Sequence, residues 1–225
     1  MDQFLSLIDE IKIDLSSKGI EALQIKQPPG CYTDFVPREF FQFAGFEEKH
    51  ADINQQIELK SNWEQTIHTM QKRKLDSLKA ENFEFRKMEN EELETAHKFI
   101  DVCRQAQDLK INISYELLRQ LTDSTDAYDI FGVFREGKIS SLCIAVRVTD
   151  KVAYYYLPAT SPMFRSQSPM VMLIAGMVDY YCKLNYDFLD LGISSVEGKA
   201  QESLRIFKER MGASQSEKST WILQF

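Results

Sequence analysis

A lysine, an aspartate and two adjacent tyrosines draw attention first, because an amine, a carboxylate and a phenol can move a proton or hold a developing negative charge. Lys208 follows Leu204 by one helical turn, at the border of an apolar stripe formed by Ala200, Leu204, Phe207 and Met211. Its amine could therefore reach a cleft; the plain alternative is a lysine whose stem covers the edge of the helix. Tyr155 and Tyr156 are neighbours in an aromatic run that reads as a strand, so they face opposite sides. One of them could touch an acceptor or protonate a leaving group, although strand aromatics more often serve packing. Asp190 closes an apolar strand just before Gly192, where it either positions an amine or ends the strand. His97 falls near the apolar face of its helix and reads as a half-buried histidine, while His50 and His68 have no carboxylate at matching spacing. No cluster has metal-ligand spacing.

The elements that must position these groups follow from periodicity. Phe4, Leu7, Ile8, Ile11 and Leu15 predict a first helix stopped by Gly19. A strand over 22–25 is ended by Pro28-Pro29-Gly30, a short helix covers 37–43, and a strand covers 53–59. Ser61 with Glu64 reads as a capping box opening a helix to Ala80, with Trp63, Ile67 and Met70 as its buried stripe. A strand follows over 83–88, and then a helix capped by Asn90 with the stripe Leu93, Ala96, Ile100 and Cys103. Ser114 caps a short helix carrying Leu117, Leu118 and Leu121. Strands over 128–134, 139–148 and 152–157 are joined by turns short enough for hairpins, so they pair antiparallel. The apolar helix containing Met170, Leu173, Ile174, Met177, Val178 and Tyr181 leads to a strand over 186–191. That strand–helix–strand passage is a crossover, which makes its two strands parallel neighbours. The helix bearing Lys208 and a last strand over 219–225 complete the chain.

Composition narrows the class. With 225 residues and 44% hydrophobic residues, the chain can bury one large core or two small ones. Its four cysteines are scattered, three of them within apolar segments, and read as small core residues in a reducing compartment. The first residues carry no basic, apolar leader, and no run reaches membrane-spanning length, so the expectation is a cytoplasmic protein without membrane insertion. A net charge of −7 disfavours a dedicated nucleic-acid binder. Residues 72–87 nonetheless gather Lys72, Arg73, Lys74, Lys79, Arg86 and Lys87 against Asp76, Glu81 and Glu84. A solvated helix face is the ordinary reading of such a patch.

The expected order from residue 83, β-α-α-β-β-β-α-β-α-β, resembles the GNAT (N-acetyltransferase) superfamily, and more narrowly its Fem-type branch. The resemblance is carried by Tyr154-Tyr155-Tyr156-Leu157-Pro158-Ala159-Thr160, by Tyr186-Asp187-Phe188-Leu189-Asp190-Leu191-Gly192, and by Leu204 to Gly212 with its Phe207-Lys208 pair. It implies an α/β fold, a GNAT-like mixed sheet with flanking helices, in a complete domain over residues 81–225. Residues 1–80 are similar to the closing part of a preceding, partial GNAT-like unit.

The function that the resemblance implies is transfer of an acyl or aminoacyl group from acyl-CoA or aminoacyl-tRNA to an amine, such as an amino sugar or cell-wall precursor. No tightly bound cofactor is implied. The alternative is a non-catalytic GNAT-like binding or assembly module. Carried over, Lys208 stabilises the tetrahedral intermediate, with Tyr156 and Asp190 as its catalytic companions, while an N–H of the strand at 152–157 polarises the carbonyl. Phe207, Tyr155, Arg165, Ser166, Gln167 and Ser168 are the expected donor-binding residues, and no metal is expected. In coenzyme A-binding members, glycines let main-chain N–H groups close on the pyrophosphate at the start of the following helix. Here Arg165-Ser166-Gln167-Ser168-Pro169-Met170 places Ser168 and Met170 where small residues belong, although Ser168 suits an N-cap and Pro169 a helix start. By the same resemblance the basic patch at 72–87 is the expected contact to a tRNA backbone or a nucleotide-sugar diphosphate, and a homodimer is open.

Overall fold

Turns and stripes of the kind just described produce seven helices and ten strands among the described residues, which are 1–32, 37–60 and 62–225 of this computed structural model. Ser61, half of the expected capping box, lies outside them. In chain order the elements are α1 (Asp2–Ser17), β1 (Ala22–Lys26), α2 (Arg38–Phe43), β2 (Glu47–Glu58), α3 (Thr69–Ala80), β3 (Phe83–Met88), α4 (Leu93–Gln105) and α5 (Tyr115–Ser124). There follow β4 (Tyr128–Arg135), β5 (Lys138–Arg147), β6 (Val152–Thr160), α6 (Met170–Lys183) and β7 (Phe188–Ile193). The small strands β8 (Ser195–Val196) and β9 (Lys199–Ala200), then α7 (Glu202–Arg210) and β10 (Ser214–Gln224), complete the set.

The chain forms two compact units, one of residues 1–55, 193–205 and 215–225, the other of residues 56–192 and 206–214. The boundary expected near residue 80 therefore falls inside the second unit. In the first unit β1 pairs antiparallel with β10, whose other neighbour is β2. Ile8, Phe41, Phe46, Trp221 and Leu223 make its core, with Phe41 and Trp221 stacked at 5.1 Å between ring centroids. Only Ile8 of the predicted α1 stripe is fully buried, and Leu7 is exposed.

The second unit holds the strand order β7-β6-β5-β4-β3. The β3–β4, β4–β5 and β5–β6 pairs are antiparallel, and β6–β7 is parallel, as the crossover through α6 requires. One face of this sheet is covered by α6 and the Trp63–Leu78 region, with Phe131, Cys143, Leu173, Ile174, Val178 and Tyr181 at its centre. The other is covered by α4 and α5 through Leu93, Ala96, Ile100, Cys103 and Leu118. The α4 stripe is the one predicted, but its start differs. Glu89 and Glu92, rather than Asn90, exchange the capping bonds around a 3-10 turn. Ser114 caps α5 as expected, its Oγ accepting from Leu117 N at 3.2 Å.

The helix expected from residue 61 is instead split. Trp63–Gln65 form a 3-10 turn, and α3 begins only at Thr69, where His68 Nδ1 accepts from Met70 N. The break rotates the helix, so Gln71 and Leu78 are buried and Met70 is exposed, while Trp63 and Ile67 enter the core ahead of it.

Candidate active site

A slip in hydrogen-bond register opens the second unit's sheet. Between Ile144 and Val146 of β5, the partner positions in β6 advance from Leu157 to Tyr154, so β6 carries one extra residue at Tyr155–Tyr156. A bulge of this kind bends its strand and re-aims side chains. On its other edge β6 pairs with β7 only at Val152–Phe188, Ala153–Leu189 and Tyr154–Asp190, and beyond the bulge the two strands separate.

At that point of separation Asp190 is 2% exposed, and its Oδ1 accepts from Gly192 N at 2.8 Å. This contact holds Gly192 at φ +74°, a conformation that L side chains rarely adopt. A Cβ there would also lie 3.2 Å from Tyr154 Cε2 and 3.4 Å from its hydroxyl. Tyr154 thus sits over Gly192. Lys208 reaches the same residue from α7: its Nζ donates to Gly192 O at 2.9 Å, and the side chain is buried. Burial pushes the Lys208 pKa down to about 8, partly countered by the nearby negative charge of Asp190. Burial raises the Tyr154 phenol, and Asp190 and then Tyr156 add to the effect.

The predicted residues therefore divide. Lys208 and Asp190 converge on Gly192. Tyr156 is half-buried on the α4 side of the sheet, its ring 6.0 Å from that of Tyr154. Tyr155 lies in the core beneath α6, its hydroxyl against Met170 Sδ, and burial raises its phenol strongly. Phe207 is half-buried against the same core. Arg165 and Ser166 are exposed on a 3-10 turn over Pro162–Gln167, where Ser166 Oγ donates to Gln167 Oε1 at 2.9 Å. Ser168 is not the N-cap of α6; Pro169 holds that position. Ser168 instead takes a left-handed turn at φ +59°, the backbone state that glycine would supply, and its Oγ accepts from Lys74 Nζ at 3.1 Å.

Sequence reasoning missed Tyr154. The signal available for it was Gly192, since a glycine ending a strand often marks close approach of another group. No group of three or more histidine, cysteine or acidic residues able to hold a metal ion occurs among the described residues. No helix among them is long and apolar enough to cross a membrane.

The sheet thus splays beside a crossover helix, with the buried amine of Lys208 at Gly192. Residues 46–201 match the family described as the acetyltransferase (GNAT) domain, and the chain belongs to that family. No curated protein matches the chain in sequence. Among solved structures, the crystal structure of FemX superposes with a TM-score of 0.75 at 12% identity, over 98% of this chain and 76% of that one. L-PGS from Bacillus licheniformis gives 0.70 at 13% identity, over 98% and 74%. The C-terminal domain of a proposed lysylphosphatidylglycerol synthetase from Agrobacterium fabrum gives 0.69 at 13%, over 99% and 73%. At such identities the likeness is one of fold.

Proposed function

We propose that this protein is an N-acyltransferase that moves an acyl or aminoacyl group from a thioester or ester donor to an amine acceptor, and that Lys208 is its principal catalytic residue. The observation that carries the reading is the buried ammonium of Lys208 beside Gly192, at the opening between β6 and β7. In the reaction the acceptor nitrogen attacks the carbonyl carbon. A C–N bond forms, the C–S or C–O bond breaks, the nitrogen gives up a proton and the leaving thiol or hydroxyl takes one. Negative charge gathers first on the carbonyl oxygen and then on the leaving group. A cation held out of water acts on such charge more strongly than a solvated one, because its dipole surroundings need not reorganise. With a pKa of about 8, Lys208 is largely protonated at neutral pH yet can release its proton within the catalytic cycle. Asp190 serves as a positioning residue that fixes the Gly192 turn and favours the charged lysine, and the Tyr154–Tyr156 pair borders the acceptor side.

Support for an aminoacyl cargo comes from the likeness to the proposed lysylphosphatidylglycerol synthetase domain. Support for an acyl-CoA cargo comes from the acetyltransferase family itself. An amino sugar or cell-wall precursor is the proposed acceptor class. The test is a matrix of acetyl-coenzyme A and aminoacylated RNA hairpins against amino sugars and peptidyl amines, with product read by mass spectrometry. Transfer by the wild type that is lost in Lys208→Ala supports the reading. Transfer unaffected by Lys208→Ala removes the lysine from the mechanism, and no transfer with any pair favours a non-catalytic module.

A further inference from the structure

The sheet of the second unit ends at β3, an edge strand. Every residue from Phe83 to Met88 pairs with β4 on one side. Among the described residues, no hydrogen bond joins the main chain of β3 to any other segment. Strands β4 and β5 stand between β3 and β6, so this edge is about 14 Å from β6, on the far side of the sheet from the opening at Lys208. An unpaired edge is a template for another strand, and proteins that leave one exposed restrict it with charge.

Side chains of β3 alternate between the two faces of the sheet, Phe83 and Phe85 toward α6, Glu84 and Arg86 away from it. Each face has a cavity at this strand. On the α6 face a hollow of about 260 Å³ has Trp63, Phe83 and Phe85 among its walls, and Glu64, Asp179 and Lys79 bring charge to it. On the other face a hollow of about 470 Å³ is lined in part by Glu84, Arg86, Phe134 and Glu136. Arg86 is already engaged: it donates to both carboxylate oxygens of Glu92 at 2.8 Å and lies over the Phe134 ring. Among the described residues, Glu64, Glu84, Glu136 and Asp179 form no ion pair, and neither does Lys79. Four such carboxylates against one lysine leave both faces of the edge acidic.

Peptides recognised by strand addition draw affinity from main-chain hydrogen bonds and specificity from cavities that receive alternate side chains. The edge of β3 offers both. We propose that it is a docking site for an extended, basic segment of a partner protein, which joins the sheet as an added strand. A lysine or arginine of that segment on the α6 face lays its stem on the Trp63, Phe83 and Phe85 walls and brings its charge to Glu64 and Asp179. One on the other face meets Glu84 and Glu136. A second copy of the chain would set the same acidic rim against itself, in a protein of net charge −7, so charge complementarity selects a basic partner over self-pairing. The inference is independent of the acyl-transfer reading.

Hydrogen exchange and calorimetry on the full chain, with an acetylated and amidated hexapeptide of alternating lysine and valine, test the proposal. Exchange should slow in β3, and affinity should weaken as salt rises. The same peptide with every amide N-methylated keeps its charge but loses its main-chain donors, and should leave β3 unprotected. A peptide of alternating glutamate and valine should not bind. Glu64→Gln/Asp179→Asn and Glu84→Gln/Glu136→Gln should each weaken binding of the basic peptide by about three- to tenfold, as for two partly exposed ion pairs. All four side chains are exposed, so both variants should fold. Asp9→Asn/Glu10→Gln removes the same charge from exposed positions of α1, in the first unit, and should keep wild-type affinity. No binding of the basic peptide, equal protection by its methylated form, or an equal loss in the α1 control would overturn the proposal. So would protection of β3 that grows with protein concentration alone, which would assign the edge to a second copy.

Discussion

Lys208 is a buried amine whose protonation is linked to stability. In the unfolded chain it titrates near its ordinary value of 10.5, and in the folded chain at about 8. Between those values the unfolded state holds a proton that the folded state has released, so stability rises with pH across that window. Below it both states are protonated and the burial penalty is constant, at about 3 kcal/mol. Chemical denaturation at pH 7 to 10.5 should therefore show wild-type stability climbing relative to Lys208→Met; parallel curves would mean that the amine is not depressed. Gly192→Ala should cost about 1–2 kcal/mol, because alanine resists φ +74° and its methyl would press on Tyr154. The same substitution should lower the rate, and a variant with normal stability and rate would separate Gly192 from the site. Lys208 and Asp190 were singled out by the order of residues around them, and the fold brings both side chains to Gly192. Tyr154 could not be, because the face that each strand residue presents depends on where α6 docks and on a bulge that alternation alone does not reveal.

Among the elements, α6 and β3 approach unusually closely. A Cβ on Gly176 would overlap the ring of Phe85, so this glycine is what lets the helix lie against the strand. Gly176→Ala should cost about 1–3 kcal/mol from overpacking, and about a third of that or less in a Phe85→Leu background. Equal costs in the two backgrounds, measured by urea denaturation, would contradict the packing account. The stripes of α4 and α6 were legible because each helix packs one continuous face on the sheet, as did the hairpin turns that set β4, β5 and β6. The start of α3 was not. Its local capping pattern lost to tertiary packing, which buries Trp63 and Ile67 from a separate turn and begins the helix again at His68. The tiny β8–β9 pair was missed for the same reason. It is held by Asp52, whose Oδ1 accepts from Ser195 Oγ and Gly198 N, contacts more than 140 positions away in sequence.

At the scale of the whole molecule, each unit is assembled from distant segments, and this was the least legible level because periodicity reports only neighbours. The core of the first unit depends on the end of the chain: Trp221 stacks on Phe41 and donates from Nε1 to Gln27 Oε1 at 3.0 Å. Trp221→Ala should cost about 3–5 kcal/mol. Hydrogen exchange should then show lost protection in β1, the strand paired with β10. Retained protection there would show that the core of the first unit does not need the final strand.

The central claim is that Lys208 acts in the transition state of acyl transfer, and single-turnover kinetics test it most directly. Wild type and Lys208→Met would be compared at saturating donor and acceptor, with donor affinity measured separately. The account predicts a rate lower by about 10²–10³-fold with unchanged donor affinity, the pattern of a lost oxyanion donor. Equal rates, or a loss wholly recovered by raising the donor concentration, would contradict it.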